Sequence, residues 1–293
     1  MWDRYLRSKA SLKPSTAAVY KVMWLVHIEP AFGRWPVGRI KHGDVAEWVA
    51  NLAARRSAST TRHAYRVLSL VLDVAVRERL VPRNEATGVD LPKLTRGHRV
   101  VATAEQVEAL AILFDGDHGD LVRLLAYTGL RWGEATALRV CDVDIQRRRL
   151  HVRRAVVEVD GKLVVGTPKS HHARQVPLAA RAMAVVISRV TGRQADELLF
   201  PSRTRQPIRN NAFRRATDWA KSTAEVGLAG LRIHDLRHTA ASLMISSGAD
   251  VLQVAKVLGH SSPTITLSVY GHLFKDHLDD VSRRLDDLLN KDT

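Results

Sequence analysis

Four short segments in the second half of the chain carry side chains suited to chemistry on a phosphate group. They are Thr-Gly-Leu-Arg at 128–131, Thr-Pro-Lys-Ser at 167–170, His-Asp-Leu-Arg-His at 234–238, and Leu-Gly-His at 258–260 followed by a tyrosine at 270. A guanidinium group binds phosphate through paired N–H donors in a fixed plane. Two such groups, from Arg131 and Arg237, are therefore able to hold one phosphate between them.

The third segment is predicted to form a helix with a polar and an apolar face. At about 100° per residue, His234, Arg237 and His238 share one face with Ala241. The apolar residues of the adjoining face are Leu236, Ala240, Leu243 and Met244. The polar group should therefore stand at the rim of a buried stripe, partly removed from water and directed at a common point.

The same two histidines also have the i, i+4 spacing that binds zinc on a helix. A zinc protease helix has glutamate directly after its first histidine, whereas this chain has Asp235, and Arg237 beside His238 is a cation that disfavours a metal ion. A Gly-rich loop of the kind that cradles nucleotide phosphates is also missing from the sequence. We therefore expect neither a metal nor a cofactor.

The overall charge favours an anionic partner. Lysine and arginine total 45 against 30 acidic residues, a formal net charge of +15, and the first 95 residues alone carry +8. Such a field suits nucleic acid, because each phosphate contact releases a bound counterion. A single cysteine excludes an internal disulfide framework, and no apolar run approaches the about 18 residues of a membrane span. We expect a cytoplasmic protein, associated with the host nucleoid when it is bound to DNA.

Residues 1–90 are predicted to form a helical domain. One helix should begin at Ser15 and be interrupted by Pro30 and Gly33, and a second should cover 44–54. A third has apolar residues at three- and four-residue steps between 64 and 76, the mark of one buried face. Basic side chains near the start of this third helix are candidates for contacts to a DNA backbone; they are Arg62, His63 and Arg66.

Residues 91–102 are predicted to be an extended basic linker between two domains. The segment contains proline, glycine and three lysine or arginine residues, with little helical periodicity. Lys93, Arg96 and Arg99 are therefore further candidates for DNA contacts.

Residues 103–275 are predicted to form a second domain of helices with one inserted sheet. Helices should begin at Thr103 and end at Gly129, and helices should dominate again from 179 onward. Between them, β-branched alternation at 140–145, 151–159, 163–165 and 175–178 predicts a small antiparallel sheet with hairpin turns. The fold class is thus mainly α with a small antiparallel β-sheet.

The ordered set of motifs resembles a known family. An arginine in Thr-Gly-Leu-Arg, a hairpin lysine, His-x-x-Arg-His, Leu-Gly-His and a tyrosine ten residues later are similar to the tyrosine recombinases, the phage integrase family. The resemblance covers residues 103–275 and implies an α+β catalytic domain. The helical front resembles, more loosely, the family's core-site DNA-binding domain, which has a SAM-like fold.

The resemblance implies a covalent reaction on DNA. Tyr270 would be the nucleophile that attacks a backbone phosphate, giving a 3′-phosphotyrosyl link and a free 5′-hydroxyl. Lys169 would be the general acid that protonates the departing 5′ oxygen, and His234 would act as acid and base near the tyrosine.

The resemblance also implies residues that stabilise charge. Arg131 and Arg237 would neutralise the non-bridging oxygens in the transition state, and His260 would donate a hydrogen bond to the phosphate. Glu134 and His238 would orient these side chains. Fixed cations of this kind stabilise a phosphoryl transfer without a metal, and the covalent ester conserves the bond energy without ATP.

The partners implied are double-stranded DNA at core attachment sites and further copies of the chain. Such recombinases work as tetramers linked through C-terminal segments, and residues 276–293 are predicted to form an acidic helix that docks on a neighbouring protomer. Its apolar stripe consists of Leu278, Val281, Leu285, Leu288 and Leu289. Accessory proteins that bend DNA or set direction are possible partners. Because the helical front begins almost at Met1, we expect a two-domain form without an arm-binding domain.

Two other functions remain open at this stage. A type IB topoisomerase uses the same covalent chemistry but releases relaxed DNA, and a catalytically silent regulator of the same fold would only bind DNA. The compact helical front and the docking tail favour recombination. The complete set of arginine, lysine, histidine and tyrosine argues against the silent regulator, which has no chemical need for all of them.

Overall fold

The computed structural model describes residues 1–9, 12–94, 99–168, 173–274, 286, 289 and 290. The chain divides into two compact units, one comprising Met1–His98 with Glu158–Lys162 and the other comprising Arg99–Val157 with Leu163–Thr293. Within the described ranges, none of the helices has the length and apolar character needed to cross a membrane. The finer domain limits, including the linker at 91–102 and the docking helix at 276–293, stay predictions.

The first unit is helical and has its own core. A π-helical segment at Trp24–Ile28 lies between its second and third helices, and a buried group that includes Trp24, Ile28, Phe32 and Val71 fills the interior. The helices are α1 (Trp2–Arg7), α2 (Pro14–Met23), α3 (Glu29–Phe32), α4 (His42–Ala53) and α5 (Ala58–Arg77).

The first predicted helix differs from the sequence expectation at its start and at Pro30, whereas Gly33 follows its last residue as predicted. Its cap is Lys13 rather than Ser15, because Pro14 takes the first helical position, where its missing N–H costs nothing. Pro30 does not interrupt the helical run, which continues to Phe32. The π-helical segment ends just before α3, so Pro30 stands in a new first turn and removes no hydrogen bond there.

The other two predicted helices of this unit are confirmed. α4 agrees with the predicted range to within two residues, and α5 buries almost all of its predicted stripe, with Val76 half-buried. Ser57 caps α5 by accepting a hydrogen bond from the backbone N–H of Thr60 at 3.2 Å. This cap places the basic residues of the first two turns of α5 at a defined position.

From Arg99 onward, helices enclose a small amount of sheet, which confirms the predicted fold class. The core joins side chains from helices and strands, among them Leu110, Leu124, Leu150, Val176 and Val186. The elements are α6 (Ala104–Ile112), α7 (Gly116–Thr128), α8 (Trp132–Ala135), β1 (Val143–Asp144), β2 (Arg149–Val152), β3 (Ala155–Val159), β4 (Lys162–Gly166), β5 (Arg174–Pro177), α9 (Ala180–Val190), α10 (Asn210–Ala216), α11 (Trp219–Glu225), α12 (Asp235–Ser246), α13 (Val251–Leu258) and α14 (Pro263–Tyr270).

The strands form two antiparallel sheets rather than the single sheet that the sequence predicts. β2 lies between β1 and β5 and pairs Val152 with Arg174, whereas β3 and β4 form a separate hairpin. Asp160 and Gly161 at its turn have positive φ angles of 48° and 74°, as a tight hairpin requires. The side chains of β4 are mostly exposed, and Val156 is the buried side chain of β3, so the described strands of this hairpin offer little buried surface to join the core sheet.

Two contacts join the end of α7 to α13 and the start of this unit to α12. Gly129 ends α7 in the left-handed conformation with φ +67°, and a Cβ at this position would lie 2.5 Å from Cδ2 of Leu258. The backbone N–H of Ala102 donates to the Thr239 hydroxyl at 3.1 Å, which ties the start of this unit to α12. A small cluster that includes Ala241 and Leu258 packs on the end of α14.

Gly129→Ala should therefore destabilise the protein more than an alanine at an open left-handed glycine. Both changes carry a left-handed strain of about 1–2 kcal/mol, and overlap with the buried side chain of Leu258 should add about 1–3 kcal/mol at Gly129. The matched control is Gly192→Ala, with φ +72° and nothing within 4 Å of the added Cβ. Urea unfolding of both variants measures the difference, and equal losses would show that Leu258 moves aside without cost.

Candidate active site

Most of the predicted site residues of the second unit meet at the ends of helices. Arg131 caps α8 directly after the left-handed Gly129 and Leu130, and Arg237 lies one turn into α12. His260 follows Gly259, which ends α13 with φ +68°. Tyr270 is the last residue of α14. Lys169, the predicted general acid, lies outside the described residues.

Three guanidinium groups converge on consecutive carbonyl oxygens at the C-terminal end of α13. Arg174 Nε donates to the carbonyl of residue 257 at 2.8 Å, and Arg237 Nη2 donates to that of Leu258 at 2.6 Å. Arg131 Nη2 donates to the carbonyl of Gly259 at 3.3 Å. The last carbonyls of a helix lack partners within the helix and carry its negative dipole end, so they attract cations.

One buried carboxylate holds two of these groups in place. Glu134, 1% exposed, accepts from Arg174 Nη1 at 3.0 Å and Nη2 at 2.7 Å, and from Arg131 Nη1 at 2.9 Å. It also accepts from the backbone N–H of Arg131 at 2.9 Å. Burial by itself would raise the pKa of Glu134, but the hydrogen bonds and charges of Arg174 and Arg131 hold it below its usual value.

The third guanidinium has a different environment. Arg237 is 4% exposed and donates to two carbonyl oxygens, at 2.7 Å for Gly129 and 2.6 Å for Leu258. Burial and the neighbouring charge of Arg131 lower its pKa to about 9. Among the described residues, Glu134 is the carboxylate hydrogen-bonded to this arginine group, so the site holds more positive than negative charge. A buried excess of this kind favours an anion.

The nucleophile candidate is paired with a histidine. The Tyr270 side chain is buried, and its Oη lies 2.6 Å from Nδ1 of His238. Burial raises the pKa of Tyr270, and the charges of Arg237 and Arg99 oppose the rise. Burial and the charge of Arg99 lower the pKa of His238 to about 4, so this imidazole is neutral at neutral pH.

The other two histidines stand beside this pair. The ring of His234 lies edge to face against His238 with 5.5 Å between centroids, and burial followed by the charge of Arg237 lowers the pKa of His234. His260 Nδ1 lies 2.8 Å from the hydroxyl of Thr266. Burial and the charge of Arg237 lower the pKa of His260 to about 4.

The predicted DNA contacts of the first unit lie along one groove. Arg62, His63 and Arg66 line a cavity of about 420 Å³ between α5 and residues 91–94. Arg62 is half-buried and donates to the carbonyl of Pro92 at 3.3 Å, whereas His63 and Arg66 are exposed. Their role in DNA binding stays a prediction.

The predicted contacts of the linker divide into three cases. Lys93 is exposed, and Arg96 lies outside the described residues. Arg99 stands next to the active-site candidates, because its Nη1 donates to the carbonyl of Val269 at 3.5 Å and its charge acts on Tyr270. Its position thus favours a role beside Tyr270 over one along the linker.

Sequence reasoning missed Arg174 and Thr266. Thr266 is fully buried and bonds the ring of His260, and no motif marks it. A signal for Arg174 does exist, because it shares strand β5 with Val176 two residues later and therefore faces the core. A buried arginine needs a carboxylate partner, and the glutamate three residues after Arg131 was the available one.

Comparisons with known proteins agree with this arrangement. Residues 102–277 match the model of the phage integrase family. The chain is 29% identical over 289 residues to an integrase of Mycobacterium phage FRAT1, covering 96% of this chain and 85% of that protein. It is 28% identical over 286 residues to tyrosine recombinase XerC of Roseiflexus castenholzii, covering 92% and 87%.

The fold also matches a solved structure. A single-substitution variant of the Tn1549 transposon integrase, in complex with a circular intermediate DNA, superposes with a TM-score of 0.79 at 20% identity. The match covers 98% of both chains. This likeness extends over both units of the fold.

The buried histidines predict a loss of stability in mild acid. An imidazole titrates near 6.5 in the unfolded chain and near 4 at His238 and His260, so between these values the unfolded state binds more protons. Stability present above pH 6.5 is therefore lost as the pH falls towards 4. His260→Gln should reduce this loss by about 2–3 kcal/mol.

Urea unfolding at pH 7 and pH 4.5 measures the loss for each variant. The control is His272→Gln, which replaces an exposed ring and should leave the loss as in the wild type. An unchanged pH dependence in His260→Gln would mean that the ring at 260 is not held neutral by its surroundings.

Proposed function

We propose, from the premise that this chain belongs to the phage integrase family and is a site-specific DNA recombinase, that it cuts DNA by attack of Tyr270 on a backbone phosphate. The bond from phosphorus to Tyr270 Oη forms as the bond to the 5′ oxygen breaks, which leaves a 3′-phosphotyrosyl ester and a free 5′-hydroxyl. The observation that carries the proposal is the buried Tyr270 hydroxyl, bonded to His238 and subject to the charge of Arg237 from the arginine cluster. Attack by a 5′-hydroxyl on the ester reverses the steps and joins the strands.

The charge of the site supports a reaction at phosphate. The guanidinium groups of Arg131, Arg174 and Arg237, together with the carboxylate of Glu134, leave two positive charges. A phosphodiester carries one negative charge, and its five-coordinate transition state carries two. The site therefore complements the transition state better than the ground state, which is the condition for catalysis.

We assign the proton of the nucleophile to His238. Its Nδ1 is within hydrogen-bond distance of Tyr270 Oη, and the low pKa keeps it able to accept a proton. A bound phosphodiester supplies negative charge, which raises the pKa of the imidazole as the phenol loses its proton. His234, to which the family resemblance assigns this role, packs against His238 and supports its ring.

We assign phosphate contacts to Arg131, Arg237 and His260. Thr266 donates its hydroxyl proton to Nδ1 of His260 in this proposal, which places the ring proton on Nε2 and directs it to a non-bridging oxygen. Lys169 protonates the departing 5′ oxygen. Because side chains supply all charges and protons and the ester conserves the bond energy, the reaction needs neither a metal nor ATP.

We further propose that four protomers act together on two core attachment sites. Exchange between two duplexes requires four strand cuts, and each chain supplies one nucleophile, Tyr270. The acidic segment 276–293, which is predicted from the sequence to be helical and lies mostly outside the described residues, would join neighbouring protomers in trans. Accessory proteins that bend DNA would set the direction of integration or excision.

The nucleophile is tested with a suicide oligonucleotide, a duplex nicked so that the 5′-hydroxyl fragment diffuses away after cleavage. The wild type should accumulate a denaturant-resistant protein–DNA adduct, and Tyr270→Phe should reduce it by at least about 1,000-fold because it lacks the attacking oxygen. The control is Tyr127→Phe, which removes a hydroxyl bonded to Glu108 at 2.6 Å and should still form the adduct. An adduct formed by Tyr270→Phe would exclude Tyr270 as the nucleophile.

The general acid is tested by changing the leaving group. Lys169→Ala should slow cleavage of ordinary DNA by about 100-fold or more. A substrate with sulfur at the 5′ bridging position should restore the rate, because a thiolate leaves without protonation. Lys162→Ala, at the exposed start of β4, is the control and should cleave both substrates like the wild type. If the sulfur substrate fails to restore Lys169→Ala, Lys169 does not act as the acid.

A further inference from the structure

Arg174 is a buried arginine with every type of guanidinium nitrogen in use. Its side chain is 7% exposed, its Nη1 and Nη2 bind the two oxygens of Glu134, and its Nε binds the carbonyl of Val257. A bidentate ion pair of this kind fixes both the position and the plane of the guanidinium group. The guanidinium of Arg174 thus links the start of α8 to the end of α13 and is not directed at a ligand.

The link made by Arg174 determines how many N–H donors of Arg131 are left for other partners. Glu134 is shared between Arg131 and Arg174, and Arg131 is the more open of the two, with 26% of its side chain exposed. Without Arg174, the buried carboxylate would be compensated by Arg131 alone and would draw that guanidinium inward. Arg174 therefore neutralises Glu134 and leaves donors of Arg131 for an incoming anion.

The same guanidinium sets the path of the chain into His260. A Cβ on Gly259 would lie 2.9 Å from Cδ, 3.0 Å from Nε and 3.1 Å from Cζ of Arg174. Gly259 also has φ +68°, where a side chain is strained. Arg174 consequently packs flat against the backbone that directly precedes His260.

We propose that Arg174 is a positioning residue of the strand-cleavage reaction, which holds Glu134 and the last turn of α13 so that Arg131 faces the scissile phosphate. This inference rests on the proposed function. Arg174 makes no contact with DNA in this assignment and acts through Arg131.

The test uses Arg174→Lys, which keeps the charge but loses the bidentate pair with Glu134 and the packing of the planar guanidinium against Gly259. Cleavage of the suicide oligonucleotide by the wild type sets the reference, and the variant should be about 10–100-fold slower. DNA affinity should be unchanged. The matched control is Arg189→Lys, another buried arginine bound to carboxylates of Asp117 and Asp120, and it should cleave at the wild-type rate.

A second substrate separates positioning from mere structural support. A methylphosphonate at the scissile position replaces one non-bridging oxygen by a methyl group and removes its negative charge, so the need for Arg131 falls. If Arg174 acts through Arg131, the defects of Arg174→Lys and Arg131→Ala should shrink together on this substrate. The double variant should be no slower than Arg131→Ala alone.

The outcomes distinguish this inference from the proposed function. A defect of Arg174→Lys that is equal on both substrates would overturn the positioning role. Failure of the wild type to form a Tyr270 adduct would instead overturn the proposed function. Each comparison is a ratio of cleavage rates on two substrates measured with one protein preparation. Any unfolded fraction lowers both rates equally and cancels from the ratio. Should Arg174→Lys not fold, Gly259→Ala displaces the same guanidinium and should show the same substrate dependence.

Discussion

Repulsion among three clustered guanidinium groups is the interaction that the rest of the active-site candidate has to balance. Arg131, Arg174 and Arg237 come from different elements and end on neighbouring carbonyl oxygens of one helix terminus. The carbonyls and Glu134 stabilise them in part, and burial followed by the charge of Arg131 lowers the pKa of Arg237 to about 9. An excess of positive charge held in a folded site favours binding of an anion, such as the phosphodiester of the proposed reaction.

The surrounding fold serves to keep this charge cluster and the nucleophile at one place. Left-handed glycines end α7 and α13, and they let the backbone turn where no Cβ would fit. α12 carries Arg237 and His238 on successive residues, so the same helix reaches the carbonyls on one side and Tyr270 on the other. Buried apolar contacts at the end of α14 hold the tyrosine ring against that helix.

Sequence patterns predicted the elements better than the contacts. The stripe of α5 follows from periodicity alone, because burial of one helical face needs no information about the partner. On α12, Leu236 and Ala240 are buried as predicted, whereas Leu243 and Met244 are half-buried. Ser15 as a cap was wrong, since Pro14 is favoured at the first helical position and moves the start of the helix forward, past the capping preference of serine. The division of the sheet was missed, because the choice of strand partner depends on distant residues.

Residue types and their order were enough to specify the helical fold class, the anionic partner and the set of motifs that carries the family. Packing alone decided that His238 rather than His234 meets Tyr270, and that Arg174 joins the arginine cluster. The reason is physical: spacing along a helix fixes which side chains share a face, but it does not fix which residue from a remote element comes within hydrogen-bond distance. His234 and His238 are only one helical turn apart, so a small shift between elements is enough to exchange those partners.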